Sequence, residues 1–126
     1  MYFQLVLGHL WGDYLLQSKW MALNKTNNWK ICLLHSCLYS LSICVFLWKF
    51  SPLFFLLIVL THFPIDFWSV GQKWLDIIHG RNFIEENRNN QAFKEIRISF
   101  AIIVYTVVDN TFHLTLMWLI LENMNL

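Results

Sequence analysis

The segment WKICLLHSCLYSLSICVFLW, residues 29–48, decides the fold of this chain. A helix needs about 20 apolar residues to cross the roughly 30 Å hydrocarbon core of a bilayer. This segment has that length, and its one charged residue, Lys30, lies at its start. We therefore predict that it crosses a membrane as a single helix. His35 lies inside the segment, and an ionisable side chain at that depth requires an explanation.

The rest of the chain has the same apolar character. Of its 126 residues, 57% are hydrophobic, 17% are aromatic and 13% are charged, whereas a soluble domain has about 25% charged residues. Three further apolar runs predict helices over about 2–23, 52–78 and 93–122. The sequence thus predicts an all-α, four-helix transmembrane bundle in which residues 1–126 form a single integral membrane domain, with a longer polar loop over about 79–92.

The distribution of basic residues predicts the orientation of this bundle. Only Lys49 lies on the side of the two termini, while the other Lys and Arg residues lie near the 24–28 turn and the 79–92 loop. Those eight residues are Lys19, Lys25, Lys30, Lys73, Arg81, Arg88, Lys94 and Arg97. Because cytoplasmic connections carry the excess of basic residues, we expect both termini on the outer, non-cytoplasmic side of the cell inner (cytoplasmic) membrane. The net charge of +1, with no basic arm, argues against a nucleic-acid partner.

Ionisable residues recur inside the predicted spans at a regular spacing. Residues four apart lie on one face of a helix, and composition predicts only about 0.3 His–Asp pairs at this spacing in the chain. The sequence has three such pairs, and helix 2 adds His35. The pairs are His9 with Asp13, His62 with Asp66, and Asp109 with His113.

The depth of these residues predicts that they meet. At 1.5 Å per residue, His62 lies about 15 Å along its helix from Pro52, on the outer side. Asp109 lies about 18 Å from Arg97, on the inner side. We therefore expect the polar groups of all four helices to lie near the middle of the membrane.

A metal ion is the group best able to hold three aspartates there. Three charges at mid-bilayer cost roughly 8 to 10 kcal/mol on insertion scales, and hydrogen bonds between membrane helices return only about 0.6 kcal/mol each. A structural metal returns about 10 to 16 kcal/mol. Mixed imidazole and carboxylate donors favour one or two divalent ions, zinc first, with manganese or iron as alternatives. The candidate metal ligands are His9, Asp13, His35, His62, Asp66, Asp109 and His113.

Two backbone features accompany these pairs. Gly8 and Gly12 form a G-x-x-x-G motif, which lets helix 1 approach a neighbour closely. Pro64 lies between His62 and Asp66, and because it has no N–H to donate, we expect it to bend helix 3 at the site. Both features also occur as plain packing devices.

These motifs resemble the domain of unknown function 3307 family, which comprises small bacterial and phage multi-pass membrane proteins. The resemblance rests on HLWGDYLLQ at residues 9–17, MALNK at 21–25, HFPID at 62–66 and DNTFH at 109–113. It covers nearly the whole chain and adds Gln17 and Lys25 to the site as cofactor-binding residues, with Gln17 as a hydrogen-bonding partner of a ligand. Asn110 stands where the family pattern has Gln. The family has no assigned activity, so the resemblance adds positions and not chemistry.

Three functions fit the sequence. The first is a membrane-embedded metal-dependent hydrolase of a lipid-like or membrane-delivered substrate, in which Asp13, Asp66 and Asp109 share metal binding and general-base catalysis. The second is a transporter or channel subunit that moves a divalent cation or protons along the same residues, and at this length it requires a homo-oligomer. The third is a structural membrane protein whose polar pairs only fix helix packing.

Overall fold

The computed structural model describes residues 1–80, 82–89 and 94–124, and within these ranges it contains helices and no strand. The predicted all-α class is thus confirmed for the described residues. One π-helical turn, Trp11–Leu15, follows the first α-helix. The α-helices are α1 Tyr2–Leu10, α2 Lys19–Asn24, α3 Trp29–Leu47, α4 Pro52–Phe67, α5 Val70–His79, α6 Phe83–Asn89 and α7 Lys94–Asn123.

Two helices, α3 and α7, are long and apolar enough to cross a membrane. The pair α4 and α5 passes the same test together but bends by 50° between its two parts. The outer surface agrees with a lipid environment, because Phe3, Leu53 and Ile103 are exposed while the histidines of the predicted spans are buried. The chain is therefore a helical protein suited to membrane association, and the number of four spans stays a prediction.

The prediction of one continuous helix over 2–23 is wrong. The Leu16 N–H donates to the Trp11 carbonyl at 2.9 Å, a hydrogen bond across five residues that widens the helix into the π turn. The chain then becomes extended at Ser18, whose side chain accepts a hydrogen bond from the Met21 N–H at 3.2 Å and caps α2. The first segment therefore consists of two helices with a break over residues 16–18.

The prediction of one continuous helix over 52–78 is also wrong. Ser69 has φ 49° and ψ 53°, a left-handed conformation that ends α4 and changes the direction of the chain. Pro64 lies inside α4, so the sharp bend falls after it, at Trp68–Ser69, and not at the proline itself.

The connection between α5 and α7 contains the helix α6, where the sequence predicts a loop over 79–92. The Phe83 N–H at the start of α6 donates to the Asp76 carboxylate at 2.9 Å. Residues 81 and 90–93, which include Arg81 and the predicted start of the last helix at Phe93, lie outside the described residues.

Two apolar clusters enclose a polar layer. The first is built by α1, α3, α4 and α7, and the second lies between α5, α6 and α7. Along α7, Ala101 belongs to the second cluster and Met117 to the first, while Asp109 and His113 lie between them. The buried members of the first cluster are Leu5, Tyr39, Ile43, Cys44, Leu47, Phe54, Ile58, Met117 and Leu121.

Candidate metal centre

Four buried side chains from three separate segments form the first donor group of the polar layer. The π turn contributes Asp13, α3 contributes His35, and α4 contributes His62 and Asp66. Their side chains are at most 10% exposed. The sequence predicted all four as metal ligands, and the structure brings them together.

The spacing of these four donor atoms suits a tetrahedral metal ion. The His35 Nε2 lies 3.2 Å from Asp13 Oδ1 and 3.0 Å from Asp66 Oδ2. The His62 Nε2 lies 3.5 Å and 3.3 Å from the same two oxygens, and 3.1 Å from the His35 Nε2. Ligands at about 2.0 to 2.1 Å from a tetrahedral zinc ion lie about 3.3 Å from one another. The donor set therefore has the size and the chemistry of a site that could hold a metal ion.

Aromatic packing orients the imidazole of His62. Its ring stacks on the Tyr39 ring, with centroids 3.7 Å apart and planes 16° from parallel. The Nδ1 atoms of His35 and His62 are buried, with no hydrogen-bond partner among the described residues. The second nitrogen of a metal-binding histidine ordinarily forms a hydrogen bond that orients the ring. At His62 the stack on Tyr39 is the contact that orients the ring.

Lys25 places a positive charge on this group. Its Nζ donates to Asp66 Oδ2 at 2.6 Å, and its side chain is 17% exposed. Lys25 directly follows α2, the short helix after the break over residues 16–18. The family resemblance predicted Lys25 as a cofactor-binding residue, and the structure shows it in contact with a candidate metal ligand.

Asp66 also belongs to a second donor group, with Asp109 and His113 of α7. The His113 Nε2 lies 3.3 Å from Asp66 Oδ1 and 3.6 Å from Asp109 Oδ2. This Nε2 is buried and forms no hydrogen bond with the described residues. Asp66 thus directs one oxygen to each group.

His9 lies next to the first group but outside both. Its Nε2 donates to Asn110 Oδ1 at 2.9 Å, and its Nδ1 accepts from the Tyr39 hydroxyl at 2.9 Å. Its Nδ1 also lies 3.3 Å from Asp13 Oδ2. The two ring nitrogens of His9 thus hold Tyr39 and Asn110 in place. The role of His9 as a metal ligand stays a prediction.

A cavity of about 210 Å³ borders the polar layer. Its lining includes one aspartate of each donor group, Asp13 and Asp109, together with Lys25. The buried Oε1 of Gln17 has no hydrogen-bond partner among the described residues. The lining residues are Asp13, Tyr14, Gln17, Lys25, Tyr105, Thr106, Asp109 and Asn110.

Three residues of the site escaped the sequence analysis. Tyr39 follows His35 by four positions, and that spacing was the available signal, since it places both on one face of α3. Asn110 was noted only as a departure from the family pattern, yet it accepts hydrogen bonds from both His9 and Tyr14. Gly71 gave no signal; a Cβ there would lie 3.0 Å from Asp109 Oδ1.

The fold and the site together define a helical, membrane-type protein with a buried His/Asp cluster that could hold a metal ion. The chain matches the family described as "protein of unknown function (DUF3307)" over residues 1–125 and belongs to that family. The predicted family is therefore confirmed. No curated protein and no solved structure matches the chain.

Proposed function

We propose that the protein is a membrane-embedded metal-dependent hydrolase. One observation carries this proposal: buried imidazole and carboxylate donors lie beside a cavity that is lined by Asp13, Asp109 and Lys25. A purely structural metal site is closed on all sides, whereas a catalytic one keeps access for water and substrate. The cavity provides that access, and zinc is the proposed ion.

The residues of the cavity support hydrolysis when the ion is bound. A bound divalent cation lowers the pKa of water to about 7 and polarises a carbonyl or phosphoryl oxygen. Asp13 and Asp109 line the cavity, and each is placed to accept the proton of the attacking water. That proton then passes to the leaving oxygen as its bond to carbon or phosphorus breaks. The Lys25 ammonium stabilises the negative charge that develops on the substrate oxygen.

The depth of the site favours a substrate delivered through the membrane. The donor groups lie between two apolar clusters, and the helices around them have apolar outer surfaces. We therefore propose a lipid-like substrate whose hydrolysable group reaches the cavity from the bilayer.

Two chromogenic probes in detergent micelles test the proposal. The full chain, stripped of metal and then reloaded with zinc, is assayed with p-nitrophenyl butyrate and with bis(p-nitrophenyl) phosphate. We expect zinc-dependent release of p-nitrophenolate from one of them, reduced about 10²- to 10³-fold by Lys25→Met, the size of effect seen when one stabilising donor is removed. Lys19→Met, an exposed lysine at the start of α2, is the matched control. Equal rates with and without zinc, or no turnover of either probe by the zinc-loaded protein, would contradict the proposal.

A transporter or channel subunit for a divalent cation or protons is the second candidate, and the broken helices favour it. Transporters build their ion sites from discontinuous helices near mid-membrane, and Asp13 and Asp66 both lie close to a break. Zinc uptake into liposomes that contain the protein separates the two functions. Uptake that Asp66→Asn abolishes, without probe hydrolysis, would replace the hydrolase by a transporter, which at this length we expect to be a homo-oligomer.

We also propose four spans with both termini on the outer side of the inner membrane. The distribution of Lys and Arg supports this orientation, and α3, α7 and the bent pair α4 and α5 supply up to three of the spans. The broken first segment, Tyr2–Leu10 with Lys19–Asn24, is the proposed fourth span. An alkaline phosphatase fused after residue 126 is expected to be active, and one inserted at residue 91 inactive; the reverse pattern would overturn the proposal.

A further inference from the structure

The carboxylate of Asp66 contacts different partners through its two oxygens. Oδ2 faces the first donor group and lies 3.0 Å from the His35 Nε2 and 3.3 Å from the His62 Nε2. Oδ1 faces the opposite way and lies 3.3 Å from the His113 Nε2. A carboxylate in this position is able to bind two cations, one through each oxygen.

His113 supplies an independent sign of a ligand on the Oδ1 side. Its side chain is 1% exposed, and its Nε2 points between two carboxylates, 3.3 Å from Asp66 and 3.6 Å from Asp109. Yet this nitrogen forms no hydrogen bond within the described part of the chain. Buried polar atoms that form no hydrogen bond are rare, and each calls for a physical reason such as an ion. The distances are those of donors around a cation, about 3.3 Å apart in a tetrahedral zinc site.

The second group differs from the first in its number of protein donors. Both groups reach the cavity through one aspartate, but the four donors of the first group fill the coordination of a tetrahedral ion. The second has three, and its Asp109 is 18% exposed and lines the cavity together with Lys25 and Gln17. Three protein ligands and one open position are the arrangement of catalytic metal sites.

Close packing holds Asp109 in this position. Gly71 of α5 packs against α7, and a Cβ at Gly71 would lie 3.0 Å from Asp109 Oδ1 and 3.2 Å from its Cα. A side chain at this position would therefore require Asp109 to shift. The bend at Ser69 thus brings α5 against the carboxylate that completes the second group.

We propose that the protein binds two divalent metal ions bridged by Asp66. Asp13, His35 and His62 hold the first ion with Asp66 Oδ2, and Asp109 and His113 hold the second with Asp66 Oδ1. Ions bridged by one carboxylate lie about 3.5 to 4 Å apart in two-metal enzymes. The inference rests on the proposed hydrolase and deepens it, because it assigns to the second ion the open position where water and substrate bind. Metal binding alone is enough to test it.

Metal stoichiometry and spectroscopy of the full chain in detergent test this inference. The protein is stripped of metal and titrated with zinc, and the bound zinc is counted by mass spectrometry. We expect two zinc ions per chain. Asp109→Asn is expected to give one and Asp66→Asn none at the same free zinc concentration. His79→Ala, which changes an exposed histidine outside both groups, is expected to keep two. One ion per wild-type chain, or two ions in Asp109→Asn, would overturn the inference.

A second measurement keeps the test independent of folding defects in the variants. Wild-type protein loaded with manganese is expected to show the electron paramagnetic resonance of an exchange-coupled Mn²⁺ pair. A spectrum of isolated Mn²⁺ ions at two equivalents would contradict the shared carboxylate. Two bound ions without hydrolysis of either probe would leave this inference intact and reject the hydrolase, whereas hydrolysis with a single ion would do the opposite.

Discussion

The continuous and the interrupted helices of this protein contribute different things to the site. The continuous helices α3 and α7 carry His35, Asp109 and His113 at ordinary helical spacing. In the interrupted helices, both carboxylates of the first donor group lie near a break. Asp13 lies inside the π turn, and Asp66 is the last residue but one of α4.

Each interrupted helix also packs a glycine against a continuous one beside the site. Gly12 precedes Asp13 and approaches Tyr39 of α3, and Gly71 follows the bend and approaches Asp109 of α7. The continuous helices thus support the site, and the interruptions bring the carboxylates of Asp13 and Asp66 close to them. π turns inside helices are frequent at functional sites, which agrees with this division.

The largest expected effect follows from removing the residue that both donor groups share. Asp66→Asn keeps the shape of the side chain but removes its charge and one metal-binding oxygen. We expect zinc affinity to fall by more than the 10- to 100-fold that loss of an outer hydrogen-bonding partner causes, measured by competition with a chelating dye. Asp76→Asn is the matched control on the same bent pair, because Asp76 contacts the start of α6 and no metal donor. Equal zinc affinity for Asp66→Asn and wild type would show that Asp66 is not a metal ligand.

The next prediction compares the interrupted turn with the regular helix before it. A Cβ at Gly12 would lie 2.6 Å from Tyr39 Cδ2 and 3.0 Å from the Tyr39 Cα, whereas the nearest contact at Gly8 is 3.2 Å, to Ile43. We expect Gly12→Ala to lower the free energy of unfolding by about 1 to 3 kcal/mol, as overpacking does, and Gly8→Ala to lower it less. Unfolding in increasing dodecyl sulfate measures both. A larger effect at Gly8 would show that the π turn has no special role in packing.

The corresponding test at the second interruption is Gly71→Ala. The added methyl group would lie 3.0 Å from Asp109 Oδ1, so we expect it to displace that carboxylate and weaken the second zinc ion about 10- to 100-fold, as loss of a positioning contact does. The first ion is expected to keep its affinity. Two-phase zinc titration followed by isothermal calorimetry resolves the two sites, and an unchanged second phase would contradict the role given to Gly71.

The smallest expected effect concerns the continuous helix α3. Tyr39→Phe keeps the ring that stacks on His62 but removes the hydroxyl that donates to His9. Loss of this hydrogen bond is expected to lower the free energy of unfolding by about 0.5 to 1.5 kcal/mol and to leave zinc binding in place. Tyr2→Phe, which removes an exposed hydroxyl bonded to Glu122, is the control and is expected to change stability less. Release of zinc from Tyr39→Phe would mean that His9 has a direct part in metal binding.

The sequence was informative within each regular stretch of helix. An apolar run of the right length predicts α3 and α7, and a spacing of four places His62 with Asp66 and Asp109 with His113 on single faces. These features need only the regular helix and its 3.6-residue period, so the composition of the donor groups could be predicted.

The breaks could not be read from the same pattern. Ser69 has a left-handed conformation without being a glycine, and the helix after it, α5, packs against the distant helix α7. The π turn likewise packs Gly12 against Tyr39, a residue far away in the sequence. Since His9 has the same spacing to Asp13 as the other pairs, only the contacts of its ring with Tyr39 and Asn110 distinguish it from the histidines of the two donor groups.

X-ray absorption spectroscopy of the zinc-loaded wild-type protein is the most direct test of the central claim that imidazoles and carboxylates of separate helices share a metal ion. We predict a mixed first shell of nitrogen and oxygen at about 2.0 to 2.1 Å, together with the outer scattering of imidazole rings. In Asp66→Asn at the same zinc concentration, this signal is expected to be absent. A wild-type spectrum of oxygen ligands without imidazole scattering would contradict the claim.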